Sequence, residues 1–150
     1  MPRPQMTDDE RDAFLAEPHV AVLSVTNDDG RPPHAVPVWY AYEPSGNLTF
    51  YTQTQGRIAR KTRLIQAAGA VTLCVQREEF PYRYVTVEGT VVAADQPPTQ
   101  DQMLAITSRY LPPEQASGMV DHELANPNSE LILFTVRPDR WLTFDLSNPD

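Results

Sequence analysis

The chain has 150 residues, of which 41% are hydrophobic and 21% charged, and its formal net charge is −8. This length fits one domain with a buried core, and the charged fraction argues against disorder, so we expect a single domain over residues 1–150. The negative net charge disfavours nucleic acids and anionic membranes as partners.

The N-terminal half predicts one helix and then three strands. Thr7 and Glu10 form a capping box for a helix that should end near Ala16. Strands rich in β-branched and aromatic residues follow, separated by turn residues, over 19–26, 34–42 and 48–54. In the second of these, alternation places four side chains on one face: Val36, Val38, Tyr40 and Tyr42. Strands joined by short turns predict an antiparallel meander, with Pro37 at an edge or a bulge.

The central part of the chain predicts a helix between strands. The helix should run from Ile58 to about Ala68, and strands should follow over 71–76 and 83–94. Gly89 interrupts the second strand, which indicates a β-bulge there.

The C-terminal part predicts two helices and two closing strands. Thr99 and Gln102 form a second capping box. The elements expected after Thr99 are a helix to about Tyr110, a helix from Pro112-Pro113 to about Ala125, and strands over 130–137 and 140–146 around Pro138-Asp139. Six or seven strands with inserted helices predict a small antiparallel barrel, because closure removes exposed sheet edges.

A basic cluster stands out in this acidic chain. It contains Lys61, the only lysine, together with Arg57, Arg60 and Arg63. If a helix begins near Arg57, then Arg57, Arg60 and Lys61 share one face, and Thr52 and Thr54 point to one side of the preceding strand. Cations and hydroxyls beside the free N–H groups of a helix N-terminus predict a phosphate site. The alternative is a solvated, arginine-rich helix face.

Three segments in order, PVWY at 37–40, LTFYT at 48–52 and Arg60-Lys61 before a helix, resemble the pyridoxamine-phosphate-oxidase-like family. The resemblance covers about residues 10–146. It implies a mainly β fold with inserted helices, a six- to seven-stranded antiparallel split β-barrel of the FMN-binding type. It also implies a homodimer that holds two flavin or deazaflavin cofactors at the subunit interface.

The resemblance also implies positions for the cofactor. Val36, Pro37 and Val38 would lie beside the ring system. Residues around the phosphate would be Tyr51, Thr52, Arg60 and Lys61, with Arg57 as a further helper. Trp141 is a candidate to stack on the ring, with packing in the core or at a subunit interface as the alternative.

The resemblance is to the family, and one departure bears on activity. Pyridoxamine-phosphate oxidases carry a C-terminal arginine for the substrate phosphate, and no arginine follows Trp141. The short, arginine-rich chain is more similar to the branch that uses the deazaflavin coenzyme F420, with FMN as the rival cofactor. We therefore expect an oxidoreductase that moves a hydride to or from a small conjugated substrate, with a non-catalytic carrier or sensor of a planar cofactor as the alternative.

Other chemistry has little support in the sequence. No general acid or other catalytic residue is evident, and the three histidines lack metal-ligand spacing, so no metal is expected. Cys74 is the only cysteine, which excludes an internal disulfide and favours a reducing compartment. The N-terminal residues lack the apolar run of a signal peptide, and no segment has the roughly 20 apolar residues of a membrane helix. We therefore expect a cytoplasmic protein.

Overall fold

Four helices and seven strands make up the part of the chain that the structure describes. This computed structural model describes residues 5–55 and 60–147, with the backbone alone for 54 and 55. The helices are α1 (Asp8–Ala16), α2 (Arg60–Ala68), α3 (Gln100–Thr107) and α4 (Pro113–Ala125). The strands are β1 (Ala21–Val25), β2 (His34–Val38), β3 (Ala41–Tyr42), β4 (Leu48–Gln55), β5 (Ala70–Arg77), β6 (Arg83–Asp95) and β7 (Ser129–Asp145). Both predicted capping boxes are present, at Thr7 and at Thr99.

The strands form one antiparallel sheet in the order β2-β1-β5-β6-β7-β4-β3. The predicted fold class, a mainly β split barrel with inserted helices, is confirmed. Pro37 lies on β2, at one edge of the sheet, as predicted. An edge strand tolerates proline because one side of its backbone needs no ladder donor.

The predicted three-stranded meander is wrong beyond its first hairpin. The segment 34–42 forms two strands instead of one: β2 pairs with β1, whereas β3 pairs with β4 at the opposite edge of the sheet. The change occurs at Tyr40, whose N–H donates to the Tyr110 hydroxyl at 3.2 Å and whose carbonyl accepts from Arg109 at 2.5 Å. The backbone groups of Tyr40 therefore bond to side chains instead of to a neighbouring strand. At this residue the chain passes from β2, at one edge of the sheet, to β3, at the other edge.

This crossover also shows that the sheet is curved. Val38 ends β2 and Ala41 begins β3, so a three-residue step joins the two edges. Such a step spans at most about 11 Å of extended chain. The sheet must therefore curl until its edges approach, which leaves a split between β2 and the β3–β4 pair.

Residues 130–146 were predicted to form two strands but form one. Strand β7 runs through Pro138 and Asp139, with a register shift opposite Gly89, which pairs with Pro138. The predicted bulge at Gly89 is present as this irregularity, and the extra residue, Asp139, is on the partner strand. Because a bulge leaves backbone groups unpaired, the missing N–H of proline costs little there.

Two apolar clusters hold the elements together. The larger one fills the barrel and joins β-strand residues to Phe14 and Leu15 of α1 and to Leu64 and Ile65 of α2. The smaller one packs α3 and α4 on the outside of the sheet through Met103, Val120 and Leu131, with Tyr51 against them. Helix α4 is thereby placed beside the split.

Candidate functional site: a cleft at the split of the barrel

A cleft of about 530 Å³ lies where the two edges of the sheet approach. Its lining comes from β2 and its flanks, from the outward side of β4, from α2 and from α4. The residues are Val20, Pro37, Val38, Trp39, Tyr51, Gln53, Lys61, Met119 and Glu123. Val20 and Met119 are 48% and 37% exposed, so the cleft is accessible from solvent on that side.

One side of the cleft is apolar and aromatic. Pro37, Val38 and Trp39 supply it, at the end of the edge strand. The Trp39 ring stacks on Tyr110 with 4.7 Å between centroids and 8° between planes. This stack fixes the indole, so the wall is preformed and suits a flat ligand.

Lys61 supplies a cation to the same cleft. Leu64 and Ile65 anchor α2 in the barrel core, and the Thr62 hydroxyl bonds to that of Thr52 at 2.9 Å. These contacts hold the first turn of α2, so the position of Lys61 is set by its neighbours. Burial lowers the pKa of Lys61, and among the described residues its ammonium has no hydrogen-bond or ion-pair partner. A half-buried, unpaired cation fits an anionic group of a ligand.

Arg60 lies beside Lys61 in sequence but has different surroundings. Its guanidinium donates to Asn27 and forms an ion pair with Asp29 at 2.9 Å, both in the β1–β2 loop. Hydrogen bonds to the Arg31 N–H and to Arg60 hold the pKa of Asp29 below its ordinary value. Arg60 therefore ties the start of α2 to the loop that precedes β2.

The polar end of the cleft is formed by β4 and α4. Glu123 is only 4% exposed, and its Oε2 atom has no hydrogen-bond partner in the described structure. The Tyr51 hydroxyl faces this carboxyl group, and burial followed by the Glu123 charge raises the pKa of Tyr51. Burial raises the pKa of Glu123, against smaller opposing effects of Tyr51 and His122.

The structure brings four of the predicted site residues to the cleft: Pro37, Val38, Tyr51 and Lys61. Others face elsewhere within the chain. Val36 packs against the barrel core, and Thr52 is bonded to Thr62 inside it. Trp141 packs against Tyr42 and Arg11 in a different part of the molecule. Arg57 and the Thr54 side chain lie outside the described residues.

Five lining residues are additional to the sequence prediction: Val20, Trp39, Gln53, Met119 and Glu123. Strand alternation could have identified Gln53, since it is two residues from Tyr51 and so points the same way. Nothing local identifies Met119 and Glu123. They share a face of α4 at i and i+4, and only the packing of α4 on the sheet brings them to the cleft.

None of the helices in the part of the chain that the structure describes is long and apolar enough to cross a membrane. Within residues 5–55 and 60–147, no three His, Cys, Asp or Glu side chains come together as metal ligands.

Comparisons with known proteins agree with the architecture. The sequence model of the pyridoxamine 5'-phosphate oxidase family matches residues 7–143. A solved structure described as an F420 reductase is 25% identical, covers 87% of this chain and 94% of its own, and has a TM-score of 0.65. No curated protein matches significantly.

Two further structures share the fold at lower identity. A conserved hypothetical protein from Mycobacterium tuberculosis is 18% identical over 97% of this chain and 89% of its own, with a TM-score of 0.69. An FAD-binding protein from Mesorhizobium loti is 17% identical over 95% of this chain and 97% of its own, with a TM-score of 0.61.

Proposed function

The chain belongs to the pyridoxamine 5'-phosphate oxidase family, and from this membership we propose that it is an oxidoreductase that uses a flavin or deazaflavin. It moves a hydride between the bound cofactor and a small conjugated substrate. The cofactor supplies the hydride chemistry, and the chain supplies binding and orientation. The observation that carries the proposal is that one cleft combines a flat apolar wall with Lys61, a cation that has no partner among the described residues.

Different residues of the cleft bind the phosphate and the ring system of the cofactor. Lys61 holds the phosphate of the cofactor, because an anion supplies the charge partner that this half-buried ammonium lacks among the described residues. Pro37 and Trp39 lie against the ring system. The wall and the cation are both preformed, so little conformational entropy is lost on binding.

The preferred cofactor is coenzyme F420, and FMN is the alternative. Both carry a phosphate and a flat tricyclic ring, so the wall and Lys61 do not distinguish them. The preference rests on the similarity to an F420 reductase over 94% of that chain and on the short, arginine-rich sequence.

We place two cofactors at the interface of a homodimer. The outward face of the sheet carries half-exposed apolar side chains, among them Val22 and Leu142 at 40% and 41% exposure. Association through this face would cover them, and the partner would then help to enclose the cleft.

The proposal is tested by titrating coenzyme-free protein with F420 and with FMN. Trp39 lines the cleft, so ring binding should quench tryptophan fluorescence, and most of this quenching should disappear in Trp39→Phe. We expect saturable binding with tighter affinity for F420. Absence of binding by either cofactor would overturn the proposal, and tighter FMN binding would reverse the preference.

Turnover of a substrate distinguishes an enzyme from a non-catalytic carrier of the same cofactor. The solvent-accessible side at Val20 and Met119 leaves room for a second molecule, which favours an enzyme. We expect reduced cofactor bound to the protein to be reoxidised by a conjugated carbonyl acceptor. Binding without reoxidation by any of a panel of such acceptors would indicate a carrier.

A further inference from the structure

Tyr110 contacts the apolar wall of the cleft but is not one of its lining residues. It lies in the segment between α3 and α4, and its ring is almost parallel to that of Trp39, with 4.7 Å between centroids and 8° between planes. A half-buried indole at the end of an edge strand has more than one staggered rotamer open to it. The stack selects one of them, so Tyr110 acts on the wall through Trp39.

The hydroxyl of Tyr110 ties together the two chain segments that carry the wall. It donates to the His19 carbonyl at 2.7 Å and accepts from the Tyr40 N–H at 3.2 Å. His19 precedes Val20 and Tyr40 follows Trp39, and both Val20 and Trp39 line the cleft. A hydroxyl that uses its donor and an acceptor site in this way has a fixed position, and so has the ring that carries it.

Arg109 holds the same two segments through separate bonds. Its guanidinium donates to the carbonyls of Tyr40, Leu15 and Glu17, at 2.5, 2.8 and 3.0 Å. The residues after α3 are therefore fastened to the α1–β1 connection and to the crossover even without the Tyr110 hydroxyl. Removal of the hydroxyl alone should leave an aromatic ring in place against Trp39.

We propose that Tyr110 is a positioning residue for the ring system of the bound cofactor: it holds the Trp39 indole in the orientation in which this indole lies against the ring. The proposal rests on the cofactor-binding function proposed above and adds to it a residue from outside the cleft. A flat ligand gains from such a wall, because the indole loses no rotamer freedom on binding. Tyr110 should therefore govern affinity for the ring system and leave the phosphate contact at Lys61 unaffected.

The test compares Tyr110→Phe, which keeps an aromatic ring for the stack, with Tyr110→Leu, which does not. Tyr110→Phe should lose stability, because the His19 carbonyl and the Tyr40 N–H lose a partner, yet its cofactor affinity should stay within about twofold of wild type. Tyr110→Leu should bind roughly 2- to 12-fold more weakly, the factor that corresponds to one aromatic pair. Affinity losses that follow the loss of stability in both variants would overturn the proposal.

Tyr42→Leu is the matched control for destabilisation. Tyr42 is also a half-buried tyrosine whose hydroxyl donates a hydrogen bond, to Asp12 at 2.6 Å, and its ring contacts Trp141. This variant should lose stability while its cofactor affinity changes by no more than about twofold, as expected for a distant site. An affinity loss equal to that of Tyr110→Leu would show that destabilised variants in general bind poorly, and the positioning role would then be refuted.

A double-mutant cycle, measured by calorimetry, assigns the effect to Trp39. Residues in contact have non-additive effects, so Tyr110→Leu should cause little further loss of affinity in a Trp39→Leu background. In a Lys61→Ala background its effect should be undiminished, since the phosphate contact is separate from the stack. Full additivity with Trp39→Leu, or strong coupling to Lys61→Ala, would contradict action through the indole.

A measurement on cofactor-free protein separates this proposal from the proposed function. The sequence has two tryptophans, so in a Trp141→Phe background the tryptophan band of the near-UV circular dichroism spectrum reports Trp39 alone. The band should persist in Tyr110→Phe and be largely lost in Tyr110→Leu.

An unchanged band in Tyr110→Leu would overturn the positioning role whether or not the protein binds a cofactor. If the band is lost as expected but wild type binds neither F420 nor FMN, the proposed function fails, and the cofactor as the ligand fails with it. The placement of Trp39 by Tyr110 would then stand.

Discussion

At the scale of single residues, two adjacent cations have opposite environments. Arg60 is satisfied by Asn27 and Asp29, so its charge already has partners within the chain. Lys61 is half-buried and has none among the described residues. A ligand anion therefore gains most from Lys61, because binding supplies a partner that residues 5–55 and 60–147 do not.

Lys61→Ala should weaken cofactor binding and leave folding almost unchanged. Removal of one charge-assisted contact costs ~1.5–3 kcal/mol, which corresponds to an affinity loss of roughly 10- to 150-fold. Fluorescence titration with the cofactor measures this loss. The stability of the cofactor-free protein should be equal or slightly higher, since a half-buried unpaired cation is removed.

Arg63→Ala is the matched control, because Arg63 is a solvent-exposed cation on the same helix. The affinity of Arg63→Ala for the cofactor should stay within about twofold of the wild-type affinity. Lys61→Glu should bind more weakly than Lys61→Ala, and equal affinity for Lys61→Glu and wild type at low salt would contradict the phosphate contact. Because Arg60 pairs with Asp29, any loss of affinity in Arg60→Ala that arises through the β1–β2 loop should also occur in Asp29→Ala.

At the scale of elements, β7 is held to β6 through a close approach at Gly89. A Cβ atom there would lie 2.4 Å from Val136 Cγ1 and 2.7 Å from the Arg137 carbonyl oxygen. The register shift at this point lets β7 continue past Pro138 and keeps both halves of the strand in one sheet. Glycine is thus required by packing between two strands.

Gly89→Ala should destabilise the protein. The added methyl group meets backbone as well as a side chain, so the strands must separate, at a cost of roughly 1–3 kcal/mol. Urea denaturation measures the change. Gly118→Ala is the control: it lies within α4 with nothing within 4 Å of its added Cβ, and it should stabilise by ~0.5–1 kcal/mol. Equal stability of Gly89→Ala and wild type would refute the packing requirement.

At the scale of the whole molecule, the outward face of the sheet carries a row of side chains that residues 5–55 and 60–147 leave partly exposed. Strand register places Val22 beside Cys74, Cys74 beside Thr86, and Thr86 beside Leu142. Alternation puts these residues opposite the barrel core. A second copy of the chain seated on this row is the homodimer that we propose.

Leu142→Arg should yield monomers. A charge at the centre of an apolar interface would be desolvated without a partner, so association should weaken strongly. Sedimentation velocity at micromolar concentration measures the state, and wild type should sediment as a dimer. Val92→Arg is the control, because Val92 is 47% exposed near the far end of β6, roughly 20 Å along the strand from Thr86. Monomeric wild type, or dimeric Leu142→Arg, would count against this interface.

The sequence by itself determined the features that depend on near neighbours in the chain. The two capping boxes at Thr7 and Thr99 formed as predicted, because each needs only residues three apart. Proline cannot donate a ladder hydrogen bond, and Pro37 lies on an edge strand as this property predicts. Ordered short segments indicated the family. Four of the residues that the resemblance implied for a cofactor site line one cleft: Pro37, Val38, Tyr51 and Lys61.

Only the tertiary structure decided what depends on distant partners. The chain leaves β2 for β3 at Tyr40 because Arg109 and Tyr110, about seventy residues away, bind its backbone groups. Arg60 and Lys61 have different environments, because Arg60 pairs with Asp29 of the β1–β2 loop whereas Lys61 lines the cleft. Glu123 enters the site because α4 packs beside the split. Long-range packing sets these positions, and no local pattern of hydrophobicity, charge or turn residues encodes them.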